Sequence, residues 1–345
     1  MTPVRIHITS LTTGITRTPE FEKKGLCTHA VNTGTKCGHL CWYCSTGALL
    51  RMHRSFKAAQ ESPFGSGYAI VDPTTPERVT RDARRLRQRG LIQLCTTVDA
   101  WAPEAQHFGL GRRCLEAILA EPDWRVRILT KNAAVGNDFD LIGKHKDRVL
   151  VGLSLTAPPD KSAVIRAVEP NASTILERMA AMKEAHRLGL RTYAMFCPLL
   201  PGIADSTGAI TELVEFALAC GAEEVFAEPV NARGPGLRLT QEALAAAGFQ
   251  KEAAAVGTIR RQEAWSHYVR NLVANIQEAL RRVGALEKLR FLLYPGRLSE
   301  SDREWIREHP EGVRWLGNDN EASSPAPHAA TECGPRSAPF QRKRN

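Results

Sequence analysis

Three cysteines in Cys37-Gly38-His39-Leu40-Cys41-Trp42-Tyr43-Cys44 could do chemistry together, with three residues between the first pair and two between the second. A tight loop of that spacing brings its thiolates to one side, where they can share a metal centre. Zinc would need a fourth ligand, for which Cys27, His29 or His39 could serve. Zinc knuckles, however, are usually paired Cys-x-x-Cys units, and this loop has one. Three unrelated core thiols would sit badly in a polar loop that carries a glycine. A four-iron cluster takes four ligands, so three cysteines would leave one iron open to a small molecule.

The elements around the loop must hold it. Met1 to Gly25 lacks periodicity and reads as a leader packed over the domain. Leu26 to Gly34 reads as a first strand that delivers the loop, Ser45 to Phe56 as helix-compatible, and Glu61 to Pro73, with its Gly and Pro, as a loop. Alternation follows. Thr75-Pro76-Glu77 opens a helix with Val79, Ala83 and Leu86 on one face. Strands are expected at Leu91–Thr97, Val126–Thr130, Val149–Thr156, Arg191–Cys197 and Glu224–Pro229. The helices between them are Glu104–Ala120, Phe139–Lys144, one capped by Asn171 and ended at Gly189, and Ala209–Ala219. Such alternation implies parallel strands with right-handed crossovers, as a doubly wound sheet or a barrel.

Strand faces separate these two. Gln93, Cys95 and Thr97 share a face, as do Arg127, Leu129 and Lys131, and Gly152, Ser154 and Thr156. A strand covered by helices on both sides should be apolar on both. Repeated polar residues on one face imply a wet interior, hence a partial (β/α) barrel. After Asn231 the regularity falls away, with a long helix at Ile259–Val283, followed by the stretch Leu289–Tyr294 and a helix at Ser301–Glu308. The expected organisation is a leader over 1–25, a barrel over 26–236, a mostly helical extension over 237–316 and a disordered, Ser/Pro/Ala-rich tail over 317–345.

The 345 residues, 43% hydrophobic and 24% charged, suit a soluble globular protein. No apolar run could span a bilayer and no secretory leader is visible, so the chain reads as cytoplasmic and without a membrane partner. Nine cysteines, an odd number, point to reduced thiols rather than a disulfide scaffold, with Cys333 a lone thiol of the tail. A net charge of +9 suits a nucleic acid partner, though it also fits enzymes that never meet a polyanion. The run from Arg81 to Arg89 could contact phosphates or be the solvated face of a helix, and no aromatic ladder accompanies it. Nothing in the sequence speaks to oligomeric state.

Cys37-x-x-x-Cys41-x-Tyr43-Cys44, following a strand and opening an alternating α/β chain, resembles the signature of the radical S-adenosylmethionine (SAM) superfamily. The resemblance covers roughly Leu26 to Arg233. It implies a TIM-type partial (β/α)6 barrel in which Cys37, Cys41 and Cys44 hold a [4Fe-4S] cluster, SAM chelates the fourth iron and Tyr43 lies near the adenine. It also implies reductive cleavage of SAM to a 5′-deoxyadenosyl radical, hydrogen abstraction from a substrate, and an electron donor of flavodoxin or ferredoxin type.

Cys95-Thr96-Thr97-Val98-Asp99, Leu129-Thr130-Lys131, Leu153-Ser154-Leu155 and Pro198-Leu199-Leu200-Pro201-Gly202 resemble strand ends of the spore photoproduct lyase-like subgroup. That resemblance assigns Thr97, Lys131 and Ser154 to the methionyl end of SAM. It puts Asp99 at the strand end where other superfamily members carry a Gly-Gly-Glu run, which is absent here. It makes Cys95 a candidate hydrogen donor; a thiol in a barrel is also an ordinary filler, and Cys197 shares that ambiguity. Cys95, Thr97, Asp99, Lys131, Ser154, Glu228 and Asn231 all stand at carboxyl ends of strands, where barrel enzymes do their chemistry. Nothing after Gly236 matches the lyase. The expected substrate is a nucleic acid base or lesion, with a peptide or small metabolite as the rival and a zinc-stabilised nucleic-acid-binding protein as the reading from another class.

Overall fold

A computed structural model describes residues Thr2–Leu316. The expected disorder of 317–345, and Cys333 with it, lies outside the described residues. The strands are β1 (Arg5–Ile8), β2 (Thr16–Arg17), β3 (His29–Val31), β4 (Gly34–Lys36), β5 (Tyr68–Val71), β6 (Leu91–Leu94), β7 (Arg125–Thr130), β8 (Val149–Ser154), β9 (Arg191–Leu199), β10 (Ala222–Pro229), β11 (Leu289–Leu293) and β12 (Val313–Trp315).

The main sheet runs β12-β11-β10-β9-β8-β7-β6-β3-β2. Every neighbouring pair is parallel except the short antiparallel pair β2–β3. β12 and β2 are its two edges, so the curled sheet is a partial barrel. A smaller sheet, β1-β5-β4, carries the cysteine loop directly after β4.

Alternation along the strands sorts two cores. Ile92, Leu94, Val126, Ile128, Val151, Leu153, Ala194, Phe196, Val225 and Ala227 pack against the helical layer. Leu150, Tyr193, Met195, Phe226 and Leu292 face the lumen and fill it together with Leu26, Cys27 and Phe21. The polar lumen face read as wet is therefore packed at the amino ends. Arg127 lies under the rings of Tyr193 and Phe226, 4.8 and 5.0 Å from their centroids, and pairs with Glu224 at 2.8 Å. Gly152 makes this filling possible, since a Cβ there would stand 2.2 Å from the Tyr193 ring. Only the carboxyl end of the barrel stays open.

Several boundaries differ from the sequence reading. The leader holds β1, β2 and the helix Pro19–Lys23. The expected first strand is two short ones in different sheets, and the helix-compatible stretch is the pair Thr46–Leu49 and Arg54–Ala59. The loop at 61–73 conceals β5, which is buried at all four positions and so shows no alternation. Helix Glu104–Ala120 is broken at Gly109, φ +61°, into Pro103–His107 and Leu110–Leu119. The helix Ile175–Arg187 is capped by Thr174 with Glu177 in a capping box rather than by Asn171.

Residue 236 is no structural divide. Beyond it the chain adds the helices Gly236–Ala246, Gln250–Thr258 and Gln262–Arg282, then returns to the main sheet as β11 and β12. The run from Arg81 to Arg89 uses charges on the surface, where Arg84 of the helix Thr75–Arg85 and Arg89 beyond its end face Glu121. No helix among the described residues is long and apolar enough to cross a membrane.

Candidate active site

The cysteine loop lies over the open end of the barrel, anchored to the strand ends around it. The Gly38 N–H donates to Glu104 at 3.0 Å, and the Asn171 side-chain amide donates to the Gly38 carbonyl at 3.0 Å. The Trp42 N–H donates to the Val168 carbonyl at 3.0 Å, and the Thr46 hydroxyl to the Thr97 carbonyl at 2.8 Å. Leu40 takes a left-handed φ of +57°, a conformation costing a bulky residue roughly 1–3 kcal/mol and tolerated where surroundings over-determine it.

His39 and Asp99 form the central brace. His39 Nε2 stands 2.9 Å from Asp99 Oδ2, both side chains buried, and its Nδ1 is 3.3 Å from the Asn171 carbonyl. Asp99 also accepts from the Trp101 N–H at 2.9 Å, the Thr130 hydroxyl at 2.9 Å and the Lys131 N–H at 2.8 Å. Burial opposes both charges, yet the pairing wins: Asp99 is held below the usual carboxylate range and His39 above the usual imidazole range. Asp99 lines the cleft, but its oxygens are committed to the scaffold. It thereby ties the cysteine loop to the Thr130–Lys131 strand end.

A second buried relay ties the loop to β8. The Tyr43 hydroxyl donates to Glu169, which is paired with Arg178; Arg178 donates in turn to the Ser154 carbonyl and the Ser173 carbonyl, each at 2.8 Å. Lys131 Nζ donates to the Ser154 hydroxyl at 2.7 Å and the Cys197 carbonyl at 3.0 Å, leaving one of its three N–H donors for an anionic group. Asn32 Oδ1 receives the backbone N–H and the hydroxyl of Thr97 at 3.0 and 3.1 Å, which fixes that strand end.

One cleft with about 930 Å³ of empty space gathers Cys37, Cys41, Cys44, Tyr43, Cys95, Thr97, Asp99, Lys131, Ser154, Cys197, Glu228 and Asn231. The three loop cysteines and the strand-end residues singled out in the sequence thus meet at one opening. Burial pushes the Cys95 thiol up to about 12, and its sulfur lies 3.7 Å from the Thr33 hydroxyl, so it is a protonated S–H donor at neutral pH. Cys197 is likewise pushed up by burial, with Glu228 adding to it, and points its sulfur at Glu228 Oε2 at 3.5 Å.

Cys37, Cys41 and Cys44 line one cleft, a donor set that suits a cluster with an open iron. The three proposed zinc partners are elsewhere engaged: Cys27 in the lumen core, His29 edge-on to Trp124, and both nitrogens of His39 in the brace. A cube that meets one thiolate at each of three corners suits three sulfurs spread around one cleft. Burial raises Cys37, and raises Cys41 to about 12, so metal uptake would have to release those protons.

His39's brace, Asn32, Glu104, Asn171, Glu169 and Arg178 escaped the sequence reading. The signal for His39 was there, inside the loop, but its partner is 60 residues away. The others carry no local pattern.

The sequence model described as the Radical SAM superfamily matches residues 31–214, more than half of the chain. An uncharacterized protein of Acidianus two-tailed virus is 24% identical over 223 residues, 62% of this chain and 71% of its own. An uncharacterized protein of Methanocaldococcus jannaschii is 24% identical over 188 residues, 54% of this chain and 66% of its own. A further set of relatives, uncharacterized proteins from mycobacteria, is matched over 59% of their length. The chain therefore spans roughly two thirds of the curated relatives. A mutant of spore photoproduct lyase superposes with a TM-score of 0.55 at 15% identity, covering 80% of this chain and 78% of that one, which bears on the fold.

Proposed function

The chain belongs to the radical SAM superfamily, and from that premise we propose that it abstracts hydrogen from a nucleobase-bearing substrate laid across the strand ends. The observation that carries this reading is the single cleft in which Cys37, Cys41 and Cys44 face Tyr43, Thr97, Lys131, Ser154 and the Cys95 thiol. A [4Fe-4S] cluster on the three cysteines supplies, when bound, the electron that cleaves SAM to a hydrogen-abstracting carbon radical.

The residues of the chain have separate tasks. Lys131 offers its remaining N–H to the SAM carboxylate, with Ser154 and the Cys197 carbonyl aiming the ammonium. Thr97, fixed by Asn32, borders the methionyl end. Tyr43, anchored through Glu169 and Arg178, presents its ring toward the adenine. The packed lumen floor of Tyr193 and Phe226 keeps water out from below. Cys95 gives its S–H hydrogen to the product radical: the S–H bond breaks, a C–H bond forms, and the thiyl left on Cys95 returns to the thiol by taking one electron from the reductant and one proton.

The nucleobase assignment is supported by the cationic charge beside Glu228, one of the residues that line the cleft. Lys24 is buried beside Glu228 and Cys197, its ammonium 5.0 Å from the Tyr294 ring centroid, and the Arg233 guanidinium lies 5.0 Å from the same ring. Burial opposes the Lys24 charge, but Glu228 and Tyr294 override it and raise its pKa. With Lys131 these cations outnumber Glu228 and suit a phosphate-bearing substrate.

Anaerobically reconstituted protein should be brown and, given dithionite and SAM, release 5′-deoxyadenosine. A colourless, zinc-loaded protein that releases none would end the reading. Oligonucleotide affinity should fall steeply with salt. No binding at low salt would turn the assignment to a peptide or metabolite. Cys95→Ala should go on cleaving SAM while product quenching goes astray, and an unchanged product would remove Cys95 as donor.

A further inference from the structure

We infer that the cavity between the leader segment 11–16 and the segment 50–54 holds a phosphate and its sugar from the strand that carries the reacting base; this rests on the nucleobase reading above. The cavity has about 1180 Å³ of empty space, and none of the loop cysteines lines it. Thr97 lines both this cavity and the cleft that gathers the cysteines. A strand with its base in the cleft can therefore reach the cavity by crossing Thr97.

The walls are held by the scaffold. The Leu11 N–H donates to Asp72 at 2.6 Å, and the Gly14 and Ile15 N–H groups donate to Asp82 at 2.8 and 3.2 Å. Gly14 lies so close to the helix Thr75–Arg85 that a Cβ there would stand 2.4 Å from the Arg78 backbone. Elsewhere in the wall the Thr35 and Ser55 hydroxyls bond at 2.8 Å, and Asn32 holds Thr97. The fold thus forms the space in advance, so a bound group loses little to ordering the protein.

The lining suits a sugar-phosphate rather than a base. Thr12, Thr13, Thr16, Thr35, Asn32 and Thr97 supply hydroxyl and amide groups, which together with Arg are the types that contact phosphate and sugar. Arg54 is the one full cation among the lining residues, and none of them is acidic. Among the described residues Arg54 forms no ion pair and donates only to the Ser10 carbonyl, at 3.4 Å. Its guanidinium is therefore free to take one phosphate through two parallel N–H donors. The Ser55 N–H donates to His53 Nδ1 at 3.3 Å, which keeps the ring proton on Nε2 as a further donor. Bases are held by stacking on aromatic faces, and no Phe, Tyr or Trp is among the lining residues.

The test measures binding of reconstituted holoenzyme to a fluorescein-labelled oligothymidylate by anisotropy across a salt series, with an abasic strand of the same length as competitor. Arg54→Gln should weaken binding about 10-fold. It should also make the dependence on log salt shallower by one phosphate contact, ~0.7–0.9 in slope. Thr12→Glu, which sets a carboxylate in the same wall, should weaken binding at least as much. The abasic strand should compete in the parent and lose potency by a similar factor in Arg54→Gln, since the lost contact is to the sugar-phosphate. Iron content and SAM affinity, measured alongside, report the cysteine loop separately. Parental affinity and salt slope in both variants overturn the assignment and leave the nucleobase reading standing. So does a thymidine monophosphate affinity that falls in Arg54→Gln while the strand's does not, since the cavity would then take a free nucleotide. A parent that binds no strand at low salt removes the nucleobase reading, and this inference falls with it.

Discussion

Replacing Arg178 with Met should unfold much of what holds the cysteine loop. The Arg178 and Glu169 side chains are 1% and 0% exposed, and their pairing is the counter-charge for a carboxylate that otherwise has only the Tyr43 hydroxyl. Removing one partner of a buried pair costs ~3–5 kcal/mol, because the other charge stays behind unpaired. The Ser154 and Ser173 carbonyls also lose their guanidinium donors, at roughly 1 kcal/mol or more each, though these terms overlap. A total near ~5 kcal/mol is a large share of the ~5–15 kcal/mol that keeps such a domain folded. Urea denaturation of the reduced apoprotein measures the loss, and iron content after reconstitution reports its effect on the loop. The double variant R178M/E169M, which removes both charges, should recover at least ~2 kcal/mol of it. A pH series adds a sign. In the parent, burial opposes the Glu169 charge but Arg178 and Lys131 override it, so the folded-state pKa lies below the ordinary carboxylate value. Its contribution is then complete above that value and lost as pH falls through the lower folded one. In R178M burial acts against only Lys131 and the Tyr43 hydroxyl, so the carboxyl rises from its parent value and the deficit relative to the parent should shrink on acidification. A single-variant loss under ~1 kcal/mol, or a double variant no more stable than the single, would refute the reasoning.

Three other perturbations probe different parts of the site. Cys37→Ala, Cys41→Ala and Cys44→Ala should each leave reconstituted protein short of iron and without the broad visible absorbance, and full retention in any one would remove that residue as a ligand. Lys131→Met should weaken SAM binding to the holoenzyme by about 10–100-fold, the worth of one charge-assisted hydrogen bond, by titration calorimetry. Lys131→Arg should not restore it, because a planar fork cannot reproduce the ammonium's contacts with Ser154 and the Cys197 carbonyl. Gly152→Ala drives a methyl into the Tyr193 ring and should cost ~1–3 kcal/mol in denaturant; adding Tyr193→Val should relieve much of that.

The features legible in the chain were those set by neighbours in sequence. The cysteine spacing, the strand–helix alternation from Thr75 to Pro229 and the shared face of Cys95, Thr97, Lys131 and Ser154 follow from short-range geometry. They placed the residues that now line one cleft. The missed features depend on partners far along the chain. β5 shows no period because it is buried at every position, and only pairing with β1 and β4 identifies it. That β11 and β12 rejoin the barrel after three helices is likewise decided by strand pairing across the chain.

The electrostatics of the site were least visible of all. The sequence puts Asp99 at a strand end but does not say that its carboxylate meets His39, Thr130, Trp101 and Lys131. Asn171 looked like a helix cap and instead clasps the Gly38 carbonyl. A one-dimensional pattern records which side of an element a residue occupies, because backbone geometry alone decides that. Which buried charge meets which is decided only when elements distant in the chain pack together, since desolvation and pairing act through space.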